Sequence, residues 1–191
     1  MVYESITVTV SKVEVSTYKA TKIDHATVSV RLEDESDMLQ NGDVLEASRE
    51  VEITITPDNG YYIEGSKLNS SAYSDKMKYS KWEKEAKKIL EKHPAQKLWH
   101  VTLDTSDAYG TCVYKLDSKN VSGTVTIRKD QKLMLEYTLT NSNYQISRSG
   151  VKVLTGVFHS NTESVSIPIS EALDGKTIRC SDYITVERKG G

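Results

Sequence analysis

The chain has 191 residues, enough for one large or two small domains, and 37% of them are hydrophobic. Their regular alternation with polar residues indicates a folded protein rather than an intrinsically disordered one. The formal net charge of −2 argues against a general nucleic-acid binder, which needs a basic surface. No apolar run approaches the roughly 20 residues of a membrane span, so we expect no direct membrane insertion.

The amino-terminal sequence predicts a strand over residues 5–15 and no signal peptide. Ile6, Val8 and Val10 alternate with polar residues, and the phase then shifts before Val13, which indicates a bulge or bend near residue 11. The basic start and apolar stretch of a signal peptide are missing. The composition, rich in Thr, Ser, Tyr, Asn and Lys, nevertheless favours a piece of a longer exported chain.

A strand over residues 26–32 leads into an acidic loop, 33–43. Four of its side chains carry oxygen atoms suited to calcium: Asp34, Asp37, Asn41 and Asp43. Their spacing differs from that of a helix–loop–helix calcium site. We therefore expect a solvated loop, with no bound metal or cofactor.

Residues 50–63 contain the clearest strand and turn. Val51, Ile53 and Ile55 alternate with polar residues, as a half-buried strand requires. The sequence Pro-Asp-Asn-Gly at 57–60 supplies turn chemistry before a second strand. The pattern recurs at residues 133–146, which indicates two β-modules.

After a polar stretch predicted as a loop, 65–79, the sequence predicts one helix over residues 81–93. Ser80 and Glu83 have the spacing of a capping box. Trp82 and Leu90 belong to an apolar face that must dock onto a sheet, while lysines dominate the other face. Local charge changes sign here: residues 24–64 contain eleven acids and two arginines, and residues 66–97 contain nine lysines and four acids. These are either solvated faces or the two poles of a module that stacks on its neighbours.

We assign residues 1–96 to the first module and 97–191 to the second. The second contains about seven short strands, including a predicted hairpin of 111–116 with 122–128 and single strands at 151–158 and 176–186. The predicted fold class is mainly β: two tandem modules, β-grasp-like or immunoglobulin-like sandwiches, with one amphipathic helix docked on the first. Cys112 and Cys180 fall at apolar positions, so they are either small buried hydrophobes or a disulfide of an exported protein.

No motif predicts catalysis, so we expect no enzyme. The four histidines lack metal-ligand spacing, and no serine stands in a nucleophile elbow. A carbohydrate-binding module would need exposed aromatic side chains, and the candidates for such a surface are Tyr61, Tyr62, Tyr73, Trp99 and Tyr109.

The carboxyl-terminal sequence resembles the last part of ubiquitin. The resemblance comprises Asp-Gly-Lys-Thr at 174–177, Ser-Asp-Tyr-Ile at 181–184, and the terminal Gly190 and Gly191. It implies a β-grasp fold, conjugation through the diglycine and a cytoplasmic location. The chain departs from that family because only about six residues follow Ile184, too few for the usual final strand.

A second resemblance is to repeat modules of Gram-positive surface proteins, including internalin-type β-grasp-like repeats and immunoglobulin-like stalk domains. It rests on ITITPDNGYYIEG at 53–65 and VSIPISEALDGKTI at 165–178. The resemblance implies a secreted or cell-surface protein with a structural or adhesive role. Its partner would be a protein, a glycan or neighbouring copies. Some such domains carry Lys–Asn crosslinks, but the last strand here has no Asn, so we predict none.

Overall fold

The computed structural model describes residues 11–154 and 160–190. The chain divides into two compact units, Met1–Gln96 and Lys97–Gly191. Strands predominate in both, and the described residues contain one α-helix, which packs on the sheet of the first unit. The predicted fold class, mainly β with one docked helix, is confirmed. The strand predicted over residues 5–15 lies largely outside the described residues, as does part of the one predicted over 151–158.

The first unit alternates short strands with turns before its helix. Its elements are β1 Val15–Thr17, β2 Lys22–Ile23, β3 Ala26–Leu32, β4 Val44–Glu46, β5 Glu50–Pro57, β6 Tyr61–Ile63, β7 Tyr73–Lys78, α1 Tyr79–Lys92 and β8 Ala95–Lys97.

A four-stranded antiparallel sheet in the order β2-β3-β5-β7 forms the centre of the first unit. Val30 of β3 lies opposite Ile53 of β5, and Tyr73 of β7 lies opposite Ile55. Val51, Ile53 and Ile55 are fully buried, as their alternation predicts. Two-stranded pairings of β1 with β4 and of β6 with β8 complete the unit.

Strand β7 corrects the prediction of a loop over residues 65–79. It pairs with β5 along its whole length, from Glu50 opposite Lys78 to Ile55 opposite Tyr73. Met77 is its only buried side chain. A strand at the edge of a sheet is held mainly by backbone hydrogen bonds, so its sequence need not alternate between apolar and polar residues.

Helix α1 covers the sheet with the apolar face that the sequence predicts. Tyr79, Trp82 and Leu90 are buried and share one core with the β3 and β5 side chains. Ala86 and Ile89 pack against the same core. The helix begins two residues before the predicted 81–93 and ends at Lys92.

The predicted capping box is wrong. Lys78 occupies the N-cap, and Ser80 lies inside the first turn. The backbone N–H groups of Tyr79 and Ser80 donate to the carbonyl oxygens of Arg49 and Ala47, at 2.8 and 2.9 Å. The turn between β4 and β5 therefore supplies acceptors that a helix start otherwise obtains from a side chain.

The second unit is built from strands and two short 3-10 turns. Its strands are β9 Trp99–Asp104, β10 Gly110–Leu116, β11 Lys119–Val121, β12 Gly123–Ile127, β13 Leu133–Leu139, β14 Tyr144–Ser149, β15 Lys152–Val153, β16 Thr162–Ile167, β17 Thr177–Arg179 and β18 Ile184–Arg188. The 3-10 turns are Glu171–Leu173 and Cys180–Asp182.

Three sheets enclose one core in the second unit. Their orders are β11-β10-β13-β16, β12-β9-β17 and β15-β14-β18. All of their pairings are antiparallel except that of β17 with β9. Leu133, Leu135 and Tyr137 of β13 are buried in this core, as the recurrence of the β5 pattern predicts.

The predicted hairpin of β10 with residues 122–128 is wrong. Strand β10 turns at Asp117 and Ser118 and pairs with β11, whereas β12 pairs with β9. The two turn residues have φ angles of 48° and 69°. Positive φ at both positions is the geometry of a tight two-residue hairpin, which ends the pairing before residue 122.

The entrance to β10 is held by close packing around Gly110. A Cβ atom there would lie 2.4 Å from the Thr138 carbonyl oxygen and 2.6 Å from the Tyr137 ring. Asp107 Oδ1 accepts hydrogen bonds from the Tyr109 and Gly110 N–H groups, both at 2.9 Å, and from the Tyr137 hydroxyl at 2.8 Å. Glycine lets β10 and β13 approach closely at this point.

Candidate binding surface on the helix of the first unit

The outer face of α1 carries a row of lysines. Lys81, Lys84, Lys88 and Lys92 are separated by three or four residues, so they lie on one side of the helix. All four are exposed. The row, called here the lysine stripe, extends over about 16 Å of helix.

In the part of the chain that the structure describes, the lysine stripe is not neutralised by ion pairs. Among the described residues, no carboxylate lies within ion-pair distance of the stripe, and the one ion pair within α1 joins Lys87 to Glu91 at 4.0 Å. Lys84 and Lys92 each stand four residues from Lys88, and like charges at this spacing destabilise helices by a few tenths of a kcal/mol. Lys81 lies in a first turn without an acid, at the positive end of the helix dipole.

A groove runs along α1, between the helix and residues 17–23. It consists of two adjoining hollows of about 490 and 250 Å³, which share Thr21, Glu83 and Ala86 in their linings. Trp82, Ala86, Leu90 and Ile23 provide apolar lining, while Lys19, Lys22, Lys87, Glu83 and Glu91 provide charged groups. A partner seated on the helix would therefore meet both charge and apolar surface.

The acidic segment, residues 33–43, is the charged counterpart of the lysine stripe within the same unit. Its five acids, Glu33, Asp34, Glu35, Asp37 and Asp43, are all exposed. Arg49 pairs with Asp34 at 2.6 Å and holds the pKa of that carboxyl below its ordinary value, mainly through the side-chain hydrogen bond. Lys76 pairs with Glu33 at 2.8 Å, and this bond raises the pKa of the lysine.

The segment holds no arrangement suited to calcium. Within residues 11–154 and 160–190, no group of three or more His, Cys, Asp or Glu side chains is placed to hold a metal ion. The oxygen atoms of the loop serve local structure instead: Asp43 Oδ2 accepts from the Gln40 N–H at 2.6 Å, and Asn41 Oδ1 accepts from the Ala20 N–H at 3.2 Å.

The predicted aromatic surface is not one surface. Tyr62 is 1% exposed, so the prediction that it belongs to a binding surface is wrong; it points inward because Tyr61 takes the outer face of β6. Tyr61 is partly exposed and stacks on His25, with ring centroids 4.2 Å apart. Trp99 and Tyr109 belong to the second unit, where both pack partly against its core.

A second aromatic pair near the end of α1 has no signal in the sequence. The Tyr73 and His93 rings stack with centroids 3.7 Å apart. His93 Nδ1 lies 2.8 Å from the Glu64 carbonyl oxygen, and a Cβ atom on Gly65 would lie 3.0 Å from the same ring. The residues involved are far apart in sequence, and one of them lies on the unpredicted strand β7.

The remaining predicted site residues lie in the second unit. Cys112 and Cys180 are both buried in its core and are free thiols in the structure. Gly190 is exposed and follows Lys189, whose N–H donates to the Asn143 carbonyl oxygen at 2.9 Å. Gly191 lies outside the described residues.

Within the described part of the chain, no helix combines the length and the apolar character needed to cross a membrane. Comparison of the chain with protein-family models, with curated protein sequences and with solved structures found no match in any of the three.

Proposed function

We propose that this chain is a non-catalytic structural or adhesive module of a bacterial secreted or cell-surface protein. In this proposal the first unit joins neighbouring copies, and the lysine stripe of one copy contacts the acidic segment of the next. The observation that carries the proposal is the lysine stripe itself, an exposed row of like charges that makes no ion pair within the described residues.

The charges of the unit support a partner of this chemistry. The lysine stripe needs a row of exposed carboxylates, and residues 33–37 place four on the surface: Glu33, Asp34, Glu35 and Asp37. The first three pair with Lys76 or Arg49 within their own unit, but their side chains remain about half exposed or more. An exposed ion pair contributes only about 0–1 kcal/mol, so a single contact of this kind is weak. Repeated modules in one surface layer would add such contacts, because tethering raises their effective concentration.

The proposed contact has a geometric consequence. The lysine stripe and the acidic segment are different surfaces of one unit, so a contact between them is heterologous. Unless the rotation between copies happens to close a ring, heterologous contacts produce open chains of molecules. Association should therefore increase steadily with concentration rather than stop at a dimer.

The test is sedimentation velocity across a concentration series, at low salt and at about 0.3 M salt. The wild type should associate at low salt and dissociate at high salt. Lys84→Glu/Lys88→Glu should abolish association at low salt, and so should Glu35→Lys/Asp37→Lys. Mixing the two variants should restore a one-to-one complex, because the intact acidic segment of the first variant can bind the intact lysine stripe of the second.

Exposed lysines of the second unit provide the control. Lys119→Glu/Lys129→Glu makes the same change in net charge away from α1 and should associate like the wild type. Association that survives Lys84→Glu/Lys88→Glu, or a wild type that stays monomeric at low salt and high concentration, contradicts the proposed contact.

A second candidate function, glycan binding, is favoured by the Tyr61–His25 pair. Their rings are nearly parallel, with an interplanar angle of 9°, and His25 is exposed. A flat aromatic plate of this kind is suited to a sugar ring. Saturable changes in tyrosine fluorescence with polysaccharides, lost in Tyr61→Ala, would support this function. A flat response across a broad panel of polysaccharides would remove it.

A further inference from the structure

The two cysteines of the chain come together in the core of the second unit. Cys112 lies on β10 and is 4% exposed, and Cys180 lies in the 3-10 turn after β17 and is 1% exposed. The sequence contains no other cysteine. Both belong to the same buried cluster.

A separate hydrogen bond holds the two segments in position. Tyr114, two residues beyond Cys112 on β10, donates from its hydroxyl to the carbonyl oxygen of Ile178, at 3.1 Å. Ile178 stands two residues before Cys180. A buried hydrogen bond that involves neither cysteine thus joins the two segments that carry Cys112 and Cys180.

The 3-10 turn that carries Cys180 is itself well braced. Asp182 Oδ2 accepts from the Arg179 N–H at 2.8 Å, and the Tyr183 N–H donates to the Cys180 carbonyl at 3.0 Å. This turn breaks the single strand predicted over 176–186, and Cys180 is its buried residue.

We propose that Cys112 and Cys180 form a disulfide bond in an oxidising compartment, linking β10 to the segment between β17 and β18. The oxidant is a disulfide, either a low-molecular-weight one or that of a disulfide oxidoreductase. One protein thiolate attacks the oxidant and forms a mixed disulfide, with release of one oxidant thiolate. The second protein thiolate then attacks the mixed disulfide, forms the Cys112–Cys180 bond and releases the second thiolate. The protein loses two protons and two electrons, and the oxidant gains both electrons.

In the folded unit, the surroundings shift the pKa values of the two thiols in opposite directions. The hydrogen bond from the Cys180 thiol lowers the pKa of Cys112, whereas the same bond and burial raise the pKa of Cys180. Because both sulfurs are enclosed in the finished unit, exchange takes place while β10 and β17 are assembling.

The first measurement is chemical. The full chain is unfolded, reduced and refolded in a buffer of reduced and oxidised glutathione, then denatured and treated with a maleimide. The oxidised protein should take up no maleimide, weigh about 2 Da less than the reduced protein, and give one crosslinked peptide containing both cysteines. Two labelled cysteines after refolding with excess oxidised glutathione would overturn the proposal, as would crosslinks found only between chains.

The second measurement is thermal unfolding, with the reduced wild type and Cys112→Ala/Cys180→Ala as controls. The bond closes a loop of about 70 residues, which should raise the melting temperature of the second unit by roughly 10–20 °C. The double variant should melt identically with and without reductant. If that variant does not fold, the oxidised and reduced wild types still provide the comparison. Equal melting temperatures for those two forms would contradict a native bond.

Discussion

The two units bury similar strands in different ways. Strand β5 and strand β13 have the same alternation, and each lies third in a four-stranded antiparallel sheet. In the first unit, α1 covers the sheet with Trp82. In the second unit, side chains from two further sheets complete the core. The alternating pattern of a strand thus does not determine which element covers its sheet. The covering element determines the chemistry of the outer surface.

The largest expected effect is a loss of stability in the first unit only. Each unit contains one tryptophan, Trp82 in the first and Trp99 in the second, so the two can be followed separately. Trp82→Ala should lower the free energy of unfolding of the first unit by about 3–5 kcal/mol, because it empties the contact between helix and sheet. The remaining Trp99 fluorescence then reports the second unit, which should unfold as before, while far-ultraviolet circular dichroism follows the helix. Lys84→Ala, on the exposed face of α1, is the control and should change little. A loss below about 1 kcal/mol would show that Trp82 is not part of the core.

The next effect concerns the second unit, where strands β10 and β13 approach closely at Gly110. Gly110→Ala should cost about 1–3 kcal/mol, because the new methyl group would overlap the Thr138 carbonyl and the Tyr137 ring. Gly190→Ala is the matched control, since nothing lies within 4 Å of its added Cβ and its φ is outside the left-handed range. Denaturant unfolding measures both. Equal stabilities of the two variants would show that the contact at Gly110 can relax.

A smaller effect compares how the units respond to acid. The Lys97 ammonium and the backbone N–H of His100 donate hydrogen bonds to Asp174. These bonds hold the pKa of its carboxyl below the ordinary value. A lowered pKa in the folded state contributes stability above about pH 4, and this contribution is lost as the pH falls through the folded pKa. The Asp174 side chain is 26% exposed, against 69% for Asp34, the corresponding carboxyl of the first unit. The second unit should therefore be the more sensitive to acid.

The measurement is the melting temperature of each unit between pH 6 and pH 2.5, for the wild type and Asp174→Asn. The stability difference between the two proteins should shrink as Asp174 becomes protonated. A difference that stays constant across this range would mean that the Lys97–Asp174 pair has no net stabilising role.

The smallest expected effect is at Ser80. A true N-cap serine contributes about 1 kcal/mol, but Ser80 makes no side-chain cap here. Ser80→Ala should therefore change the stability of the first unit by less than about 0.5 kcal/mol, with a slight gain from the helix propensity of alanine. A decrease of about 1 kcal/mol in the free energy of unfolding would show that Ser80 caps the helix, as the sequence predicts.

Sequence patterns predicted the elements whose buried side chains recur with a regular spacing. The alternation of Val51, Ile53 and Ile55 identified β5, and the helical spacing of Trp82 and Leu90 identified α1. Strand β7 was missed because backbone pairing at a sheet edge leaves almost no pattern. The wrong hairpin partner for β10 has a different cause. The choice between β11 and β12 depends on the φ angles of a two-residue turn.

The candidate site was only partly readable. The lysines of residues 81–92 and the acids of residues 33–43 are visible as charge runs, and the helical period places four of the lysines on one face. Tyr62 was misplaced because the alternation of β6 does not show which of two adjacent tyrosines faces inward. The groove along α1 depends on where residues 17–23 run beside the helix, which no local pattern specifies.

The way α1 begins has a consequence for the order of folding. Its first two backbone N–H groups are bonded to carbonyls of the turn before β5, so these bonds form only when that turn is in place. A helix of 14 residues has little stability alone, so a peptide of residues 79–92 should be largely unstructured in water. In the intact chain, helical signal should appear in the same kinetic phase as sheet signal. The rate of that phase would be limited by long-range strand pairing rather than by the microsecond nucleation of a helix.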